Sequence, residues 1–279
     1  MTHETGIFTG MPFSEYRKIP AMNASTLKKI SQSPAHARHE QMSPSEPSQA
    51  LIIGQAFHSL TLEPDVFETE FGLGPDRPKR SKADKEAWAE WSEENPSMIP
   101  LKKDDWDMIH GMRDAVMGHK TAQSLMESEG QNEVTMVWND DETGHPCKAR
   151  ADRITAIGED AVIVDLKSTV DASPEGFSRS AARFLYHCQA AWYLEGANRL
   201  SPRQRRFLFV AVEKTAPYGV TVQELDSDAI EAGAKSNRIW LRRWRTCLES
   251  GQFTAYPQGV VKTGIPVWAL KDSDKLEDK

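Results

Sequence analysis

Cysteine is scarce in this chain. Cys147, Cys188 and Cys247 are the only three in 279 residues, an odd number at wide spacing that suits neither a disulfide framework nor a zinc site. Three thiolates also cannot hold an iron–sulfur cluster, which needs four. No apolar run approaches the roughly twenty residues needed to cross a bilayer, and the opening Met1 to Thr5 has neither a basic nor an apolar leader. A cytoplasmic protein with no membrane partner is expected. A glycine-rich phosphate loop is missing, as is any internal repeat, so any chemistry is expected to run without ATP. Positive charge is in the minority, with 34 Lys and Arg against 41 Asp and Glu, a net charge of −7. Any grip on a polyanion must therefore be local.

At 39% hydrophobic and 27% charged, the chain is long enough for one large α/β domain, expected over residues 1–270 with a charged, disordered tail at 271–279. The first fifty residues read as a helical approach, with Ser25 capping a helix that starts at Thr26 and Ser33-Pro34 starting another. Helices are predicted over 82–94 and 103–128, separated by Asn95 to Pro100. Strands are predicted over 132–139, 146–157, 160–167, 206–214 and 220–224, with turns at 140–144, 158–160 and 216–219. A helix over 184–194 crosses between the third and fourth strands, and a long one over 226–250 closes the domain. The result is a mixed sheet between helices, with the strand ending at Lys167 parallel to the one after its crossover.

The strand Ala161 to Lys167 ends in Asp165-Leu166-Lys167, so the acid and the lysine project from one face. A hairpin at Gly158 to Asp160 returns the preceding strand beside it and brings up Asp152. Two carboxylates satisfy the hard-oxygen preference of Mg²⁺, helped by the Leu166 carbonyl, while water and a substrate phosphate fill its remaining positions. A metal so held activates water, and Lys167 would orient or deprotonate that water and offset charge on phosphorus. On an apolar helix, Gly54 and His58 share a face. Glycine there permits close approach, and the imidazole can bind or position a metal. On a later helix Gln189 and Tyr193 share another face. Asp-x-Lys alone is common, and a lone helical histidine or glutamine is more often a packing residue.

The order of these pieces resembles the RecB-like branch of the PD-(D/E)XK nucleases. Gly54 to Pro64, Asp165 to Ala172 and Tyr186 to Tyr193, with the opening Ser14 to Pro20 and Asn23 to Leu27, are similar to the nuclease domain of the RecE-type exodeoxyribonuclease VIII family. The resemblance spans about residues 10–255 and implies a restriction-endonuclease-like α/β core with an N-terminal helical extension. It implies metal and catalytic positions at His58, Asp152, Asp165 and Lys167, with Gln189 as the signature glutamine. Glu133, opening the strand Glu133 to Trp138, is a further candidate acid. Ala151 stands where the motif has proline, which shapes a turn and ligates nothing.

Basic residues cluster at Arg77-Pro78-Lys79-Arg80-Ser81-Lys82, Arg203 to Arg206 and Arg242 to Arg245. The first, expected in a loop, supplies Arg77, Lys79, Arg80 and Lys82 as candidate DNA contacts, joined by Tyr193. The expected activity is Mg²⁺-dependent digestion of linear duplex DNA from the 5′ end, with Mn²⁺ a possible substitute. By the same resemblance, the 3′ strand left behind would serve a single-strand annealing protein, and the enzyme would be a trimeric or tetrameric ring. Two alternatives stay open: a catalytically silent module that binds DNA ends or a recombination partner on the same fold, and a nuclease for single-stranded or flap DNA.

Overall fold

In the computed structural model, residues 4–43, 46–78 and 80–267 are described; Lys79 and the tail at 271–279, both subjects of sequence expectations, lie outside them. The chain runs β1 (Gly6–Phe8), α1 (Phe13–Lys18), α2 (Ala24–Gln32), α3 (Pro34–Met42), α4 (Gln49–Leu62), α5 (Pro64–Glu70), β2 (Phe71–Leu73), α6 (Lys82–Glu94), β3 (Ile99–Leu101), α7 (Lys103–Gly118) and α8 (Lys120–Glu127). It continues through β4 (Gly130–Asn139), β5 (Pro146–Ile157), β6 (Asp160–Thr169), α9 (Pro174–Phe184), α10 (Tyr186–Leu200), β7 (Arg205–Glu213), β8 (Val220–Glu224) and α11 (Ser227–Ser250).

Period-two alternation builds the core. Val162, Val164 and Leu166 on β6, with Leu208, Val210 and Val212 on β7, pack under α4, α5, α7 and α8, where Phe57, Phe67, Ile109, Met112 and Leu125 meet them. The intervening Ile163, Phe207, Phe209 and Ala211 turn to the opposite face, against α2, α9, α10 and α11 through Leu27, Phe177, Trp192 and Trp244. One mixed sheet, ordered β1-β4-β5-β6-β7-β8, therefore separates two helical layers. As expected, β6 pairs parallel with β7 through a helical crossover, while the β4–β5 and β5–β6 hairpins are antiparallel.

Several elements depart from expectation, each for a local reason. Asn23, not Ser25, caps α2: its side chain accepts from the Thr26 N–H at 2.8 Å, so the helix starts earlier. The single helix expected over 103–128 breaks at His119, whose Nδ1 accepts from the Ala122 N–H at 3.2 Å and starts α8 afresh. The segment expected as a plain break at 95–100 enters β3, which pairs parallel with β2. The helix expected over 184–194 is interrupted at Leu185, left-handed at φ 57°, which ends α9 and turns the chain into α10. Within the first fifty residues, expected as a helical approach, α1 fits but Gly6–Phe8 instead forms β1 against β4, a strand of three residues that is too short to show alternation.

Candidate active site

The functional groups gather where strands β4, β5 and β6 part. Pairing of β5 with β6 ends at Arg153–Val164. The β4–β5 register passes from Asn132–Arg153 to Val134–Ala151 and skips Glu133 and Asp152. Glu133 adopts φ 52°, a left-handed conformation uncommon outside glycine and of the kind stored at functional sites. Freed from the ladder, the Asp152 carboxylate accepts from the Leu166 N–H at 2.8 Å and so substitutes for a backbone partner.

Both helical layers reach this opening. From α4, His58 Nε2 donates to the Leu166 carbonyl at 3.0 Å, and its Nδ1 faces Asp152 Oδ2 at 3.3 Å. From α10 on the other side, Gln189 Nε2 donates to Asp165 Oδ1 at 2.6 Å. Lys167 closes an ion pair with Asp165 Oδ2, as expected of neighbours on one strand face. Glu133 Oε2 accepts from Arg150 Nε at 2.5 Å. Ligand atoms of His58, Glu133 and Asp152 all lie within 4.8 Å of one another, while Asp165 is turned toward Gln189 and Lys167.

The electrostatics follow from crowding acids in a dry place. Burial, then the charge of Asp165, raises the Asp152 pKa to about 8. Burial, then Asp152, raises that of Glu133 to about 7. Burial and the Lys167 charge lower the His58 pKa, which keeps the ring neutral. Burial also works against the Lys167 ammonium, but Asp165 and Asp152 outweigh it and hold its pKa above the ordinary lysine value. With Nε2–H given to a carbonyl, the neutral ring offers only a lone pair at Nδ1 toward a carboxylate oxygen. Two acceptors face to face need a proton or a cation between them.

That donor set, one imidazole and two or three carboxylates, fits a divalent cation that prefers oxygen and nitrogen. His58, Asp152 and Glu133 are placed to hold one, with Asp165 beside them. The Leu166 carbonyl, expected as a further ligand, is engaged by His58. Arg150, missed in the sequence, holds Glu133; the alternation Lys148, Arg150, Asp152 on one strand was the available signal. Gly54 fronts open space, with nothing within 4 Å of where a Cβ would stand, so the close approach expected there is not made.

The candidate DNA contacts fall elsewhere. Tyr193 packs against the sheet, edge-on to Phe207 at 5.9 Å, and shares a hydrogen bond with the Gln189 amide. It braces Gln189 rather than presenting its ring to a ligand. Arg77 and Arg80 are exposed, but Lys82 opens α6 instead of lying in a loop, and pairs with Glu86 at 3.7 Å. In the other two clusters, Arg206 pairs with Glu224 and Asp160, Arg242 with Glu142 and Arg245 with Glu249. Cys147, Cys188 and Cys247 are buried free thiols.

A family described as "PDDEXK-like domain of unknown function (DUF3799)" matches residues 23–258. The chain belongs to this family. Its fold is also similar to that of a crystallised Eubacterium rectale protein described as a "Putative exonuclease", with a TM-score of 0.62 at 15% identity over 94% of this chain and 98% of that one. A second structure, that of SSO0001, covers 83% of this chain and 88% of its own at 14% identity, but a TM-score of 0.28 carries no argument. No curated protein matches. Membership establishes the PD-(D/E)XK superfamily and a nuclease-like fold; the RecE-type resemblance is finer than these matches reach. No helix among the described residues is long and apolar enough to cross a membrane.

Proposed function

We propose that the protein is a divalent-metal-dependent DNA exonuclease. The observation that carries this reading is the convergence of His58, Asp152, Glu133, Asp165 and Lys167 at one parting of the strands, with Gln189 fixing Asp165. A bound Mg²⁺, or Mn²⁺ in its place, would supply Lewis acidity toward the phosphate and lower the pKa of a nucleophilic water. The chain's own groups do the remaining work. Lys167, kept protonated by its two acids, orients the water and stabilises charge at phosphorus as a cation rather than acting as a base. Gln189, braced by Tyr193, holds Asp165 in one rotamer. Arg150 does the same for Glu133.

The finer reading follows the RecE-type resemblance: digestion of linear duplex from the 5′ end, a 3′ strand left for a single-strand annealing protein, and a trimeric or tetrameric ring that keeps hold of its substrate. The test is duplex DNA labelled separately at its 5′ and 3′ ends, incubated with and without Mg²⁺. Release of the 5′ label first, dependent on metal and abolished in Asp165→Ala and Lys167→Ala, is the expected result. Unchanged digestion by both variants overturns the nuclease assignment; release of the 3′ label first overturns only the polarity.

A further inference from the structure

Beyond the acids, one corner of the site combines cations and aromatic rings. Tyr186, the first residue of α10, has Lys167 Nζ 5.0 Å and Lys28 Nζ 5.5 Å from its ring centroid. Phe184, the last residue of α9, stands 5.8 Å from Tyr186, and the Arg183 guanidinium lies 5.4 Å over the Phe184 ring. Phe184 is 48% exposed, and the left-handed Leu185 at φ 57° stands between it and Tyr186 in the chain. Unlike Arg206, Arg242 and Arg245, neither Lys28 nor Arg183 forms an ion pair among the described residues. Lys28 is the more telling of the two, because burial and then the Lys167 charge lower its pKa to about 8. Asp165 acts on this ammonium only at a distance, and with no ion pair among the described residues it is suited to receive a phosphate.

We infer that Lys28, Arg183, Phe184 and Tyr186 form the track for one unpaired nucleic-acid strand next to the cleavage centre, with a base stacked on Phe184 and backbone phosphates on Lys28 and Arg183. Stacking platforms interleaved with cations are how proteins hold single strands without reading sequence, since every base has a π-face and every nucleotide a phosphate. A double helix hides its base faces, so the track discriminates for an unpaired end. This rests on the nuclease reading for its purpose: the strand to be cut is led past Lys167.

The test uses the full chain with single-stranded oligodeoxynucleotides carrying 2-aminopurine near one end, in Ca²⁺ buffer without Mg²⁺. Phe184→Ala should weaken binding roughly tenfold and relieve quenching of the probe, while Phe184→Trp keeps both. Lys28→Ala and Arg183→Ala should each reduce the slope of log affinity against log salt by about 0.7, one single-strand phosphate contact apiece. The inference is overturned if wild-type protein binds no single strand, if Phe184→Ala leaves binding and fluorescence as they were, or if both slopes stay at the wild-type value. Parallel incubation of the same protein with linear duplex and Mg²⁺ separates the two readings: salt-dependent binding of the single strand with no nucleotide release from the duplex defeats the nuclease assignment and leaves the track standing.

Discussion

His58 Nδ1 faces Asp152 Oδ2 at 3.3 Å, while the opposite ring nitrogen donates to the Leu166 carbonyl at 3.0 Å. The hydrogen bond to the carbonyl fixes the tautomer, and the tautomer aims a lone pair at the acid. His58→Ala should therefore weaken Mn²⁺ binding by at least tenfold, measured by calorimetric titration. Affinity in the wild type should also rise with pH up to about 8, because Asp152 must release its proton before it can ligate. A flat profile between pH 6 and 8 would show that this proton is not where the geometry puts it.

Glu133 offers a graded comparison. Its carboxylate bonds to Arg150 at 2.5 Å and stands within 4.8 Å of the His58 and Asp152 ligand atoms. Arg150 already engages one of its oxygens, so of the three groups placed to hold the metal Glu133 should matter least, at about the 10- to 100-fold of a supporting contact. Glu133→Gln should fall in that range, while Asp152→Asn should lose more. Equal losses on titration with Mn²⁺ would show that the Arg150 contact does not weaken Glu133 as a ligand.

Away from the site, Lys148 is a buried ammonium that donates to the Tyr16 carbonyl at 2.8 Å and the Ile19 carbonyl at 2.7 Å. Lys148→Met strands those carbonyls and should cost about 2–3 kcal/mol, read from the urea midpoint. Burial, then Arg17, lowers the Lys148 pKa to about 8 from 10.5. Between those values the unfolded chain binds the extra proton, so wild-type stability is highest above 10.5, falls as the pH drops from 10.5 to 8, and levels off below 8. The wild type should thus gain stability over Lys148→Met as the pH rises from 8 to 10.

Gly196 sits on α10 where a Cβ would come within 2.5 Å of the buried Trp138 ring. Helix propensity alone favours Gly196→Ala by about 1 kcal/mol. Overpacking a fixed indole costs about 1–3 kcal/mol and should win, so thermal denaturation is expected at lower temperature.

Much of the frame was legible because its signals are local. Gly144 and Gly158, both at positive φ, punctuate the hairpins, and the β-branched run up to Asp165 announces its own strand. Asp165 and Lys167 followed from a two-residue spacing, and His58 and Gln189 from resemblance. Illegible were relations that need three dimensions. The strand parting that collects Glu133 and Asp152 leaves no mark in hydropathy. Tyr193 shares a helix face with Gln189 in sequence, yet that face looks into the core. Arg206 and Arg242 read as a basic surface until their carboxylate partners, distant in the chain, are brought alongside.

The N-terminal strap has a practical consequence. Gly6 to Phe8 caps the outer edge of β4, and Met22 exchanges backbone bonds with Pro146 and Lys148 at 2.8 and 2.7 Å, whereas the family match starts only at residue 23. An expressed fragment trimmed to that boundary would bare a row of unpaired amides along β4, an invitation to edge-to-edge association between copies. Insolubility of such a fragment would then report a missing cover, not a faulty catalytic core.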